Sequence, residues 1–303
     1  MEKRTLQELN LLDDFLFNKV TSYPGIGEEF GRELLRLIYQ REFGRIKVVP
    51  QKVYYGSDVG KHGIRLDVYL EEEDADAMLQ GQGAIFDIEP DTNDNKEAIK
   101  ILPKRTRFYH AIIDANSLKA GITYKSLKEV VVIMIMPYDP FGYERMVYTV
   151  KNVITELPEA EYEDGARTIF LNTNGKLEVP NRELEELLRY MECTTEENAC
   201  NETLRKIHEM VETVKEDQEA SLEYMKIFER EQMLIEQGRD EERKNTEKER
   251  KNAEMERKRA EKERKNAEME RERAEKERER ANRVEKENQK LKELLKKSGV
   301  HES

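Results

Sequence analysis

Seven consecutive apolar residues, VVVIMIM at 130–136, constrain this chain more than any other stretch. A run of that length, rich in β-branched residues and without polar alternation, reads as a strand buried on both faces. Such a strand needs neighbouring strands on either side and covering layers above and below. The run therefore predicts a sheet flanked by helices.

The neighbouring segments supply both kinds of element. IRLDVYL (64–70) and AIFDIE (84–89) alternate apolar and polar residues with period two, and an acidic, glycine-containing connection joins them as in a hairpin. IKVVPQKVYY (46–55) reads as an extended segment broken by Pro50, and ERMVYTVKN and ARTIFLNT add further strands. Residues 9–22 and 28–41 read as helices; in the second, Phe30, Leu34, Leu37 and Ile38 recur at helical spacing. LPKRTRFYHAIIDANSL (102–118) reads as a helix with Pro103 in its first turn and Phe108, Ile112 and Ala115 on its apolar face. The expected architecture is α/β: a mixed sheet flanked by helices, with an α–β–β–β–α–β core.

After Pro180 nothing reads as a strand, so the expected division is residues 1–180, 181–240 and 241–303. Leu204, Ile207, Val211 and Val214 form an apolar stripe that Met225 and Phe228 continue. This stripe must pack on the first domain, on itself or on another copy of the chain, which makes a homo-oligomer through the C-terminal helices one expectation. From 247 to 287, EKERKNAEMERKRA returns as EKERKNAEMERERA. Only alanine keeps the seven-residue period, with Met255 and Met269 nearly opposite it. The segment therefore reads as a single helix held by Glu–Lys and Glu–Arg pairs, with a short coiled coil at most near its end.

Charge is unevenly distributed. Residues 247–297 hold 15 Glu against 20 Lys and Arg, leaving the remainder near −17 of a total of −12. An acidic body argues against broad attraction to nucleic acid but leaves room for a local basic groove. No run of about 18 apolar residues exists, so no membrane span is expected. The polar start, MEKRTLQELNLLDDF, lacks the apolar core of a secretory signal, and the expected location is cytoplasmic. Cys193 and Cys200 read as two reduced thiols. With four scattered histidines, they lend no support to zinc chemistry.

Carboxylates inside the two alternating strands raise the question of chemistry. Period two puts Asp67 on one face with Arg65 and Tyr69, leaving Leu66, Val68 and Leu70 for the core. It puts Asp87, Glu89 and Asp91 on one face, leaving Phe86 and Ile88 for the core. These acids are either ordinary half-exposed strand residues or a convergent set of ion ligands. Oxygen ligands without His or Cys suit Mg²⁺ or Mn²⁺.

LLDDFLFNKV, GIRLDVYL, FDIEP, KRTRFYHAIID and GITYKSLKEVVVIMIM, in that order over roughly residues 10–175, resemble the PD-(D/E)XK nuclease superfamily. The closest likeness is to its recombination-promoting nuclease and putative transposase family, where a charged helical tail is also common. The resemblance implies a restriction-endonuclease-like core and a Mg²⁺-dependent DNA endonuclease linked to recombination or transposition. Asp67 and Glu89 then correspond to the strand-borne acids, with Asp87 and Asp91 as further candidate ligands. Arg107 and Tyr109 correspond to the helix residues that follow. An acid from the first helices often joins, and Glu28, Glu29 and Glu33 all qualify.

One departure stands out: the family has Lys or Gln two residues after the Glu, and this chain has Asp91, preceded by Pro90. Asp cannot supply positive charge to a transition state. A cation from the next helix, Lys104, Arg105 or Arg107, is the candidate substitute. Without one, the expectation becomes an inactive nuclease-fold module that binds DNA or protein. A third expectation is an oligomeric scaffold whose work is done by the helices after Pro180.

Overall fold

The computed structural model describes residues 4–54, 64–72, 83–118, 121–177 and 181–297. Two helices lead, α1 (Asp14–Ser22) and α2 (Gly27–Tyr39), followed by strands β1 (Ile46–Tyr54), β2 (Ile64–Glu72) and β3 (Ala84–Pro90). Helix α3 (Lys96–Ser117) precedes β4 (Glu129–Met136), β5 (Val147–Lys151) and β6 (Ala166–Asn172). Helices α4 (Arg182–Glu192), α5 (Glu202–Glu216) and α6 (Gln218–Lys297) complete the chain. The expected α/β architecture is present, with a mixed sheet flanked by helices and an all-helical C-terminal region. The connection between β2 and β3 expected to close a hairpin lies outside the described residues.

The described strands form one six-stranded sheet in the order β1-β2-β3-β4-β6-β5. The β1–β2 and β2–β3 pairs are antiparallel, β3, β4 and β6 are parallel, and β5 returns antiparallel on the far edge. A parallel β3–β4 pair cannot be joined by a tight turn, and α3 is the crossover.

β4 lies inside the sheet, which accounts for its uninterrupted apolar run. Val131, Ile133 and Ile135 face the core shared with α1, α2, α4 and α5, as do Val68, Leu70, Phe86 and Ile88. Val130 faces the other way with Tyr69, Ile85 and Ile113, and Val132, Met134 and Met136 pack with Leu102 beneath α3. Strict alternation would group Leu66 with Val68 and Leu70, but Leu66 packs instead with Tyr69 and Ile85. The facing pattern of β2 is thus interrupted at Asp67.

Close approach fixes the leading helices. A side chain at Gly27 would stand 2.0 Å from the Thr21 carbonyl oxygen, so only glycine lets α2 start against the end of α1. Gly31 lies directly over Leu70 and brings α2 down onto β2.

The chain divides into two compact units, Met1–Ile227 and Phe228–Ser303, and the helices from Arg182 to Glu216 belong to the first. The reason is the α5 stripe. Leu204, Ile207, Val211 and Val214 are wholly buried in the first unit's core. At about 1.5–3 kcal/mol for each large side chain, and less once residual burial in the unfolded chain is allowed for, these four hold α5 in that unit. Past Val214 the stripe continues through Ala220 and Tyr224; Met225, expected in it, is exposed. In the second unit α6 is a solvated helix, with Glu247–Lys251, Glu254–Lys258 and Glu261–Lys265 paired at 2.7–2.9 Å. Cys193 and Cys200 are free and exposed.

Pro50, read as a break, and Pro103, read as lying in a first turn, both fall inside longer elements. β1 runs through Pro50, opposite Val68, because an edge strand tolerates the missing N–H. α3 starts seven residues before Pro103, where the Asn95 side chain caps it by accepting the Glu97 N–H at 2.9 Å. Its buried positions are Leu102, Thr106 and Ile113, with Tyr109 and Ile112 packed beside them. Phe108 and Ala115, expected on that face, are exposed.

Candidate active site

The acids converge at the end of β3, where β2 peels away from it. The regular β2–β3 pairing ends at Val68 opposite Ile88. One residue further, the Glu89 side chain turns across and accepts the Asp67 main-chain N–H at 2.8 Å. A cleft of about 200 Å³ opens here, lined by Asp14, Asp67, Glu89, Asp91, Arg105 and Tyr109 among others.

Burial separates the acids. Asp67 is partly exposed and lies 3.5 Å from the Asn18 amide of α1. Glu89 is 6 % exposed and Asp87 wholly buried. Neither Asp87 carboxylate oxygen has a hydrogen-bond donor among the described residues. The Asp87 carboxyl can hydrogen-bond to Glu89 beside it only if one of the two keeps its proton. Burial, followed by repulsion from Glu89 and Asp67, holds Asp87 well above the usual carboxylate range. Burial and the Asp67 charge push Glu89 up to about 8, against the Asp67 N–H and the Arg105 charge, which favour its ionised form.

Asp91 plays a different part from the other acids. Its carboxylate accepts the Asn93 N–H at 2.9 Å and forms a close ion pair with Arg105 of α3. Its own N–H donates to the Ile135 carbonyl, pinning the turn after β3 to β4. Burial works against the Arg105 charge, but Asp91 outweighs it and holds the guanidinium above its ordinary value. Arg105 also favours ionisation of Asp87 and Glu89. A positive charge thus stands at the acids although position 91 itself is negative. Tyr109, one turn on, lines the cleft with its hydroxyl raised by burial and by Glu89.

Of the residues expected here, Asp67, Glu89 and Asp91 line the cleft, and Asp87 lies buried behind Glu89. Arg107 is exposed on α3 and outside the lining; Arg105 occupies the place expected for it. Glu28, Glu29 and Glu33 of α2 are outside it as well, Glu29 and Glu33 being paired with Arg32 and Arg36. The helix acid in the cleft is Asp14 of α1. LLDDFLF carried the signal: Asp13 caps α1 by accepting the Phe15 N–H, and a second consecutive aspartate has no capping role.

The donor set matches a hard cation, with carboxylate oxygens from Asp14, Asp67 and Glu89 and no nitrogen or sulfur ligand. Among the described residues, no three acid, His or Cys side chains are gathered tightly enough to hold an ion by themselves. Mg²⁺ typically takes one or two protein carboxylates and keeps several waters. No protein-family model matches this sequence, and neither a curated protein nor a solved structure matches it. No helix among the described residues is long and apolar enough to cross a membrane.

Proposed function

We propose that the first unit is a Mg²⁺- or Mn²⁺-dependent endonuclease that hydrolyses DNA phosphodiesters, a member of the PD-(D/E)XK superfamily serving recombination or transposition. The observation that carries the reading is the cleft itself: Asp67 and Glu89 from adjacent strands, joined by Asp14, with Arg105 delivered to the same place by Asp91.

Asp67 and Glu89 would hold the ion, with Asp14 at the rim. With a divalent ion held by these residues, the cleft would gain Lewis acidity toward a phosphoryl oxygen and a source of nucleophilic hydroxide near neutral pH. The chain's own contributions are positional and electrostatic. Arg105 faces the negative charge that builds on the phosphoryl oxygens, the task a lysine two residues after Glu89 would otherwise perform. Asp91 fixes the guanidinium and is a positioning residue. Tyr109 narrows the cleft and can donate its phenolic proton to a phosphate oxygen. Asp87, kept protonated by its burial, can donate a hydrogen bond to the Glu89 carboxylate beside it.

The test is nicking of supercoiled plasmid in Mg²⁺ or Mn²⁺ by the full chain, beside Asp67→Ala, Glu89→Ala and Arg105→Gln. Wild-type cleavage lost in all three is expected; cleavage absent, or equal in wild type and Glu89→Ala, removes the proposal. One observation favours a second reading, a module that binds DNA without cutting it: Asp91 already neutralises Arg105. On that reading duplex binding is insensitive to metal and survives Glu89→Ala.

A further inference from the structure

Helix α3 does more than deliver Arg105 and Tyr109. It carries five cations, Lys96, Lys100, Lys104, Arg105 and Arg107, against two acids, Glu97 and Asp114. Arg105 turns inward to Asp91, while Lys96, Lys100, Lys104 and Arg107 are all exposed. Their spacings of four, four and three residues bring them onto one side of the helix, about 6 Å apart at each four-residue step. Lys100 makes a 3.1 Å pair with Glu97, both side chains about three-quarters exposed, an interaction that water and salt weaken readily. Among the described residues, Lys96, Lys104 and Arg107 enter no ion pair. Ile101 and Phe108, 51 % and 40 % exposed, border the stripe.

We propose that this exposed face of α3 is where the backbone of duplex DNA docks. The inference rests on the nuclease reading for its occupant alone; Arg105 and Tyr109, which line the cleft, stand about 100–180° around the same helix from the stripe. Charge complementarity selects the occupant. Duplex DNA offers one phosphate charge per ~1.7 Å of axis, and a straight row of four cations spanning about 16 Å meets that array without rearrangement. The residues before 247 are strongly acidic as a whole and repel a polyanion, so within that part of the chain the stripe concentrates what attraction there is.

The test compares wild type with Lys100→Gln/Lys104→Gln/Arg107→Gln in the full chain. Glutamine keeps helix propensity close to that of the residues replaced. Binding of a fluorescent DNA duplex is followed by anisotropy in EDTA over a range of salt. The expected outcome is a Kd raised at least about tenfold, with the slope of log K against log salt shallower by about 2–3, three phosphate contacts being lost. Unchanged Kd and slope in the variant, or no duplex binding by wild type, overturns the docking surface. Hydrolysis of bis(p-nitrophenyl) phosphate in Mn²⁺ is read in parallel, because that small diester does not need the stripe. Its hydrolysis by both proteins supports an intact cleft in the variant. Its absence in both removes the nuclease reading while the binding result still decides the stripe.

Discussion

Glu89→Gln offers the sharpest perturbation because its effect can be computed from one buried group. In the folded chain Glu89 keeps its proton up to about pH 8, against 4.5 ordinarily. The unfolded chain therefore releases that proton first as pH rises. Stability from this group is complete below the ordinary value and declines as pH climbs toward the raised one. Between about pH 5.5 and 7.5 the loss comes to about 2–3 kcal/mol, or about 5–10 °C in Tm for a domain of this size. Asp87, raised in the same direction, deepens the decline. Differential scanning fluorimetry of the full chain in EDTA at the two pH values reads it directly. Glu89→Gln should flatten much of the decline, and Asp87→Asn/Glu89→Gln nearly all of it. Saturating Mn²⁺ should restore wild-type Tm at the higher pH, by about 2.7 kcal/mol at a hundred times Kd, and leave the double variant unmoved. A wild-type Tm that holds or rises between the two pH values, or the same decline in the double variant, would refute the reasoning.

Three further outcomes follow from the geometry. Asp14→Asn should lower plasmid nicking by about 10–100-fold, the scale on which support of a metal site acts, while Glu28→Gln, Glu29→Gln and Glu33→Gln leave it unchanged. Asp91→Asn should reduce stability by about 1.5–3 kcal/mol in urea titration, as a charged hydrogen-bonded partner is lost, and lower cleavage by loosening Arg105. Gly27→Ala should cost about 1–3 kcal/mol in the same titration, because the added methyl meets the Thr21 carbonyl and drives α2 off α1.

The division between what was legible in the sequence and what was not follows the range of the interactions. β4 announced itself through VVVIMIM, and β2 and β3 through their alternation, because burial on one or both faces writes a local pattern. Asp67 and Glu89 were locatable for the same reason: each is a polar residue inside an otherwise apolar strand. Asp14 was not named although LLDDFLF held it, and Arg105 stood only as one of three helix cations, since a helix residue reaches a strand's acids through tertiary packing that no spacing records. Position 91 was read as a defect because a lysine was expected there. The fold places the cation fourteen residues later and uses the aspartate to hold it. The apolar face of α3 was misassigned at Phe108 and Ala115, and its start was set at Leu102, six residues after Lys96, where the helix begins behind the Asn95 cap.

The hydrogen bond from the Asp67 amide to the Glu89 carboxylate links the cleft to the backbone of β2. A carboxylate has two oxygens, and here one is engaged by main chain while the group as a whole faces the cleft. Any ligand that draws Glu89 outward must therefore stretch or release an amide in a strand hydrogen-bonded on both sides. The Asp67 N–H becomes a built-in reporter: its hydrogen–deuterium exchange should rise or fall with the occupancy and protonation of the acids. A change in the charge or position of Glu89 is thereby written into the sheet.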